Sequence, residues 1–149
     1  MTLNILLVEE SLIGEPLADM LRGQGHNVDL HETDEDVDRL RGDAERLKRY
    51  GLLIIEPFGK GRAGYYIKSS RIQLIRSFGG RKYITTEVHS GLVIGMHALY
   101  GLEKGKDYDR LYPGPYNTIR LARDIAADFG FPERNIDLDK PYEPRPQLR

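Results

Sequence analysis

Short continuous apolar runs alternate along this chain with longer stretches in which apolar residues recur at helical spacing. Leu3-Asn4-Ile5-Leu6-Leu7-Val8 is almost wholly apolar and ends at Glu9-Glu10, the pattern of a strand buried on both faces. Leu12, Ile13, Leu17, Met20 and Leu21 then fall on one helical stripe that stops at Gly23 and Gly25. Pro16 suits that helix best if regular winding starts late and places it in the first turn. Asn27 to Leu30 reads as a second strand. Thr33 to Tyr50 reads as a charged surface helix with a thin stripe of Val37, Leu40, Ala44 and Leu47, broken at Gly42.

Leu52-Leu53-Ile54-Ile55 is the second strongly apolar strand and ends at Glu56-Pro57. Phe58 to Gly64 carries three glycines and reads as a loop, and Ile67 to Phe78 as a helix stopped by Gly79-Gly80. Tyr83 to Thr86, extending towards Val88, is the fourth strand. Gly91 to Leu102 is expected to be helical, Arg110-Leu111-Tyr112 is a short fifth strand, and Thr118 to Phe129 is the last helix. These β/α units with short crossovers predict an α/β domain over residues 1–130, its parallel sheet covered by helices on both faces. Residues 131–149, with Pro141, Pro144 and Pro146, form a polar tail expected to be extended unless it docks.

Composition narrows the function classes. The 149 residues hold 22 Lys+Arg against 23 Asp+Glu, a formal net charge of −1, which argues against a nucleic-acid partner. With no cysteine there is no disulfide framework, thiolate metal site or cysteine nucleophile. A hydrophobic fraction of 40% with 30% charged residues, and no apolar run near the ~20 residues of a membrane span, predicts a soluble, cytoplasmic chain without membrane partners. His26, His31, His89 and His97 have no metal-ligand spacing, and no G-x-S-x-G elbow marks a hydrolase. Asp29 to Asp34 begins like the D-x-H-x-x-G signature of cobalamin-binding domains but lacks its glycine.

In a parallel sheet, chemistry collects at the carboxyl ends of the strands. Those ends carry Glu9 and Glu10 on strand one, Glu56 on strand three, Thr85-Thr86 on strand four and Tyr112-Pro113 on strand five. Three carboxylates sharing a cleft repel one another unless a proton or a hard cation such as Mg²⁺ relieves them. Gly59-Lys60-Gly61-Arg62-Ala63-Gly64 is a literal G-x-G-x-x-G, but it follows the third strand rather than the first, so it is a weak nucleotide signal.

These strand ends resemble the receiver domains of bacterial response regulators, from about residue 3 to residue 128. The likeness is strongest at the two ends and weakest between Phe58 and His97. Ile5 to Glu10 is similar to the strand that delivers the family's acidic pair. His26 to Leu30 is similar to its second strand, Leu52 to Glu56 to the strand of its phospho-acceptor aspartate, and Asp107-Tyr108 to the approach to its fifth strand. The resemblance implies a three-layer, flavodoxin-like (CheY-like) fold with a five-stranded parallel sheet in the order 2-1-3-4-5, and a role in two-component signalling rather than catalysis. It also implies a pocket of Glu9, Glu10 and Glu56, the residues that would hold Mg²⁺, with Thr86, or Thr85 beside it, as the switch hydroxyl.

The departures from the family all fall at that pocket. Glu56 replaces the acceptor aspartate, Tyr112 replaces the lysine that contacts the phosphoryl group, Glu10 is one methylene longer than usual, and Glu87 stands where a small residue is usual. A displacement near 1 Å costs ~100-fold in positioned chemistry, so phosphotransfer is expected to be lost and the lengthened arms count against Mg²⁺. The expected molecule is a stand-alone pseudo-receiver, because the ~20 residues after the last helix are too few for an output domain. Its partner would be a protein: a histidine kinase, another regulator, or a second copy through the helix 4–strand 5–helix 5 face. Tyr100, Tyr108, Tyr112 and Tyr116 lie around that face and read equally as an interaction surface or as core. The alternative is a sensor of a small anion or nucleotide, using the strand-end crevice with Lys60 and Arg62 of the Gly59–Gly64 loop.

Overall fold

The computed structural model describes residues 2–62, 64–86, 101–114 and 117–131. Strands β1 (Asn4–Val8), β2 (Asn27–His31), β3 (Leu52–Ile55), β6 (Arg81–Thr85) and β7 (Arg110–Tyr112) form a parallel sheet in the order β2-β1-β3-β6-β7. Counted within that sheet alone, the order is the expected 2-1-3-4-5. Between β3 and β6 the chain inserts two further strands, β4 (Phe58–Gly61) and β5 (Gly64–Ile67), which pair antiparallel with each other.

Side-chain alternation divides the core into two layers. Ile5, Leu7, Leu52, Ile54, Tyr83 and Tyr112 face one way, against Leu17, Ala18 and Leu21 of α1 (Ser11–Gly23) and Leu121 and Ile125 of α5 (Thr118–Phe129). Leu6, Val8, Leu53, Ile55 and Ile84 face the other way. There they meet Val37 and Leu40 of α2 (Asp34–Arg41) and Ile72, Leu74 and Ile75 of α4 (Ser69–Ser77). Helices on both faces explain why β1 and β3 read as continuous apolar runs rather than alternating ones.

Several expected boundaries move for identifiable reasons. Helix α1 starts at Ser11, so Pro16 lies within the helix and not in its first turn. The N–H that Pro16 lacks would have met the carbonyl of Leu12, a residue 84% exposed, where water can take that acceptor. The charged stretch does break at Gly42, into α2 and the single-turn α3 (Ala44–Leu47). Thr33 caps the first by accepting from the Asp36 N–H, and Asp43 caps the second by accepting from Arg46.

Phe58 to Gly64 is not a loop. It supplies β4 and the start of β5, and α4 accordingly begins at Ser69 rather than Ile67. The Lys68 N–H closes the base of the hairpin on the Pro57 carbonyl at 2.9 Å, and Phe58 packs with Ile67 and Leu111. β6 starts at Arg81, earlier than expected. The helix expected over Gly91–Leu102 falls almost wholly outside the described residues, as does the tail beyond Phe131; Gly101 and Leu102 themselves are not helical.

His26, buried where the chain enters β2, accepts on Nδ1 from the Leu3 N–H at 3.4 Å and lies 5.1 Å from the Phe131 ring. Burial first, and the positive N-terminus second, push its pKa below 6.5. Because the folded value lies below the unfolded one, this term is fully favourable above about pH 6.5. It declines as protons bind the unfolded chain, and is gone below the folded pKa. The denaturation midpoint should therefore fall between about pH 7.5 and about pH 5.5, and fall less in His26→Asn, which keeps an acceptor without a titrating ring. Equal declines in the two proteins would remove His26 from this role.

Candidate functional site

The pairing register places one row of side chains across the carboxyl edge of the sheet. Val8 is level with Ile55, Ile55 with Ile84, and Thr85 with Tyr112. One step further along, Glu9, Glu56, Thr85 and Tyr112 stand side by side on β1, β3, β6 and β7. They share the parity of Ile5, Ile54 and Tyr83, so all belong to the α1/α5 side. Gly14 of α1 lets the helix lie close over this edge, since a Cβ there would meet Leu30 Cδ1 at 2.8 Å and Glu9 Cβ at 3.1 Å.

Glu9 and Glu56 are the buried carboxylates of the row, at 2% and 6% exposure. Glu9 accepts from the Glu10 N–H at 3.1 Å through Oε1 and from the Thr85 hydroxyl at 3.4 Å through Oε2. Glu56 Oε1 accepts from the Phe58 N–H at 3.0 Å, the first residue of the hairpin. The Glu56 carboxylate is thus held by backbone that the inserted hairpin supplies. Glu10, by contrast, is exposed in the residue before α1 and does not join them.

Among the described residues no group of three or more His, Asp or Glu side chains is arranged to hold a metal ion. Glu9, Glu10 and Glu56, which the resemblance would allow to hold Mg²⁺, are not gathered into one such group. The reason is local: Glu10 starts a helix at the surface, and both buried carboxylates already accept hydrogen bonds.

Of the two threonines named for the switch position, Thr85 stands in the strand-end row. Both are fully buried, but Thr85 is level with Glu56 and reaches Glu9, while the Thr86 backbone extends the β6–β7 ladder by donating to the Tyr112 carbonyl at 3.0 Å. Tyr112 supplies no cation. Its hydroxyl donates to Asp124 of α5 at 2.6 Å, its ring lies 5.7 Å from that of Tyr83, and burial above all keeps its hydroxyl protonated. Tyr108 and Tyr112 are both buried, at 8% and 4%, and belong to the core instead of an interaction face. Tyr100, Tyr116 and Glu87 lie outside the described residues.

Arg71 is the site residue that the sequence reading missed. It is 3% exposed, and donates to the Glu56 carbonyl at 2.6 Å and to the Glu32 carbonyl at 3.0 Å, lacing together the ends of β3 and β2. Its Nε makes no hydrogen bond and stands 3.6 Å from Asp34, an acid shared with Lys68 at 3.4 Å. A signal was present: Arg71, Leu74, Ile75 and Phe78 fall on one helical stripe, so this cation sits on the apolar face of α4. Glu32, one step past His31 on β2, continues the acidic row. It is held below the usual carboxylate range chiefly by hydrogen bonding from Ser11, with the Arg71 charge adding.

Gly59, Gly61 and Gly64 fall within the two hairpin strands, and α4 does not begin until Ser69. The G-x-G-x-x-G run is therefore not a phosphate loop opening a helix. No helix of the described residues is long and apolar enough to cross a membrane.

No protein-family model matches the chain, and no curated protein sequence does. Solved structures do. A response regulator receiver protein from Burkholderia phymatum aligns with TM-score 0.62 at 16% identity, over 87% of this chain and 97% of its own. A putative response regulator from Chloroflexus aurantiacus aligns with TM-score 0.61 at 15% identity, over 87% and 99%. A two-component response regulator from Clostridium difficile aligns with TM-score 0.60 at 16% identity, over 86% and 96%. With the strand order and the strand-end row in place, these likenesses establish that the chain has the CheY-like fold of response-regulator receiver domains.

Proposed function

We propose that this chain is an atypical receiver, a signalling module that acts by binding a protein partner and does not transfer phosphate. The observation that carries this reading is the strand-end row itself. It offers Glu56 in the acceptor position with its carboxylate held by the Phe58 N–H, and Tyr112 in the lysine position with its hydroxyl committed to Asp124. A phosphoryl group entering there would have to displace the Phe58 hydrogen bond and would find a tyrosine, not a cation, at position 112. Partners of this class are a kinase, another regulator or a second copy. The burial of Tyr108 and Tyr112 takes the contact away from those two side chains. The anion-sensor alternative loses its phosphate loop to the hairpin.

An amide NMR titration with Mg²⁺, then beryllofluoride, tests the reading. The resonances of Glu9, Glu56 and Thr85 should stay in place in both steps, and a small phosphodonor should add no phosphoryl mass. Movement of all three in both steps would mean a working phosphoryl pocket and would overturn the proposal.

A further inference from the structure

Among the described residues two large apolar side chains stand in water, Leu12 at 84% exposure and Ile119 at 43%. Each is the second residue of its helix, Leu12 in α1 and Ile119 in α5, and both helices cover the same face of the sheet. Helix α1 returns from the end of β1 to the start of β2. Helix α5 passes Tyr112 with Asp124 and then Arg110 with Asp128, so it descends in the same direction. Leu12 and Ile119 therefore lie at the same end of that layer.

The surface around them is patterned. Leu12, Pro16 and Met20 follow one another at i, i+4 and i+8, a ridge along α1 with Ile13 beside it. Pro16 is exposed, and Ile13 and Met20 are half-buried. Contacts fix which side of each helix is which. Glu15 and Asp19 of α1 line a cleft with Asp29 and Leu30 of β2, which marks the side away from α5. Asp124 and Asp128 of α5 meet Arg110 of β7, which marks the side away from α1. Ile119 and Arg123 fall opposite that acidic pair on the helix, on the side turned towards α1. Arg120 and Arg123 are both exposed, and Arg120 approaches Asp124 only at 4.0 Å. Across the layer the order is thus acids (Glu15, Asp19), an apolar ridge, then arginines.

A surface with that order is self-complementary about one kind of axis. A two-fold axis parallel to the helices exchanges left and right while keeping level, so it sets the acids of one copy against the arginines of the other. An axis perpendicular to them would set acid against acid. We propose that the α1/α5 face is the contact of a symmetric homodimer whose two-fold axis runs parallel to these helices, covering Leu12 and Ile119. This rests on the reading above, that the module works through a protein partner, and names that partner as a second copy. A monomer would refute the dimer and leave the phosphate-free reading standing; phosphoryl transfer would refute that reading and leave the dimer.

Sedimentation velocity of the full chain tests it at about 100 μM, a concentration that fills a dimer with a Kd near ~10 μM. The native chain should show twice the mass of one chain. Leu12→Asp with Ile119→Asp should raise the dissociation constant at least about 10-fold, and so should Arg120→Glu with Arg123→Glu. Adding Glu15→Arg and Asp19→Arg to the second variant should restore most of the lost affinity, because acids and arginines have then changed places. These side chains lie at the surface, so the urea midpoints should move little, which separates lost association from lost folding. A monomeric native chain would overturn the proposal and leave the face to a different protein. So would a dimer indifferent to both double variants, or a charge exchange that restores nothing.

Discussion

Arg71→Ala should lower the unfolding free energy by about 3 kcal/mol, read as a shift in the urea midpoint. The guanidinium is buried, and its two bonds are to main-chain carbonyls that have left the regular ladder, Glu56 and Glu32. Truncation leaves both acceptors without that donor at about 1–3 kcal/mol for each buried unsatisfied group, softened where water enters the space. Stabilities of ordinary domains are only about 5–15 kcal/mol, so this single change removes a large share. Arg71→Lys should recover less than half of the loss, because a point ammonium cannot span two carbonyls as the planar fork does. A midpoint within about 0.5 kcal/mol of the parent for Arg71→Ala would mean that the strand ends hold together without it.

The same residue shows where sequence reasoning stopped. The parallel sheet was legible because the apolar runs of β1 and β3 suit strands buried on both faces, while its order was legible only through the family resemblance. Arg110 to Tyr112 and Thr118 to Phe129 are bounded as expected. The inserted hairpin was hidden by its own composition. Gly59, Gly61 and Gly64 are residues depleted in strands, so the stretch reads as loop although Phe58 and Ile67 bracket a packed pair. At the site, chain position alone gave Glu9, Glu56 and Tyr112. What a single chain pass could not give is where each polar end goes. That Glu10 faces water, that Thr85 meets Glu9, and that Tyr112 turns its hydroxyl to α5 follow from parity, register and helix packing. Arg71 and the tyrosines err in opposite directions for one reason: charge and aromatic type do not fix burial when a partner across the fold can satisfy the polar atom.

A second polar network lies at the other end of the sheet, between α5 and the amino ends of the last two strands. Asp128→Ala should cost about 2–4 kcal/mol. Asp128 accepts two bonds from the Arg110 guanidinium, both at 2.8 Å, and a third from the hydroxyl of fully buried Tyr83, with Arg81 at 3.7 Å. Removing it strands the Tyr83 hydroxyl, while Arg110 keeps a weaker contact with Asp124 at 3.5 Å. The Tyr83 hydroxyl does not ionise as an escape, since burial, the largest cause of its raised pKa, remains when Asp128 is gone.

A double change with Tyr83→Phe should therefore be less damaging than the sum of the two, because no hydroxyl remains to be stranded. Strict additivity would mean that the two side chains do not share their energy. Arg110 holds the Asp128 carboxyl below its ordinary value of 3.8. The stability it contributes is therefore full above that value and is lost as pH falls through the folded pKa. Asp128→Asn should still accept from Tyr83, and should flatten the acid limb of the stability curve below about pH 4. An unchanged acid limb in Asp128→Asn would place the acid sensitivity on other carboxylates. With Tyr112 tied to Asp124 and Tyr83 to Asp128, α5 is pinned to the last two strands at two levels of the sheet.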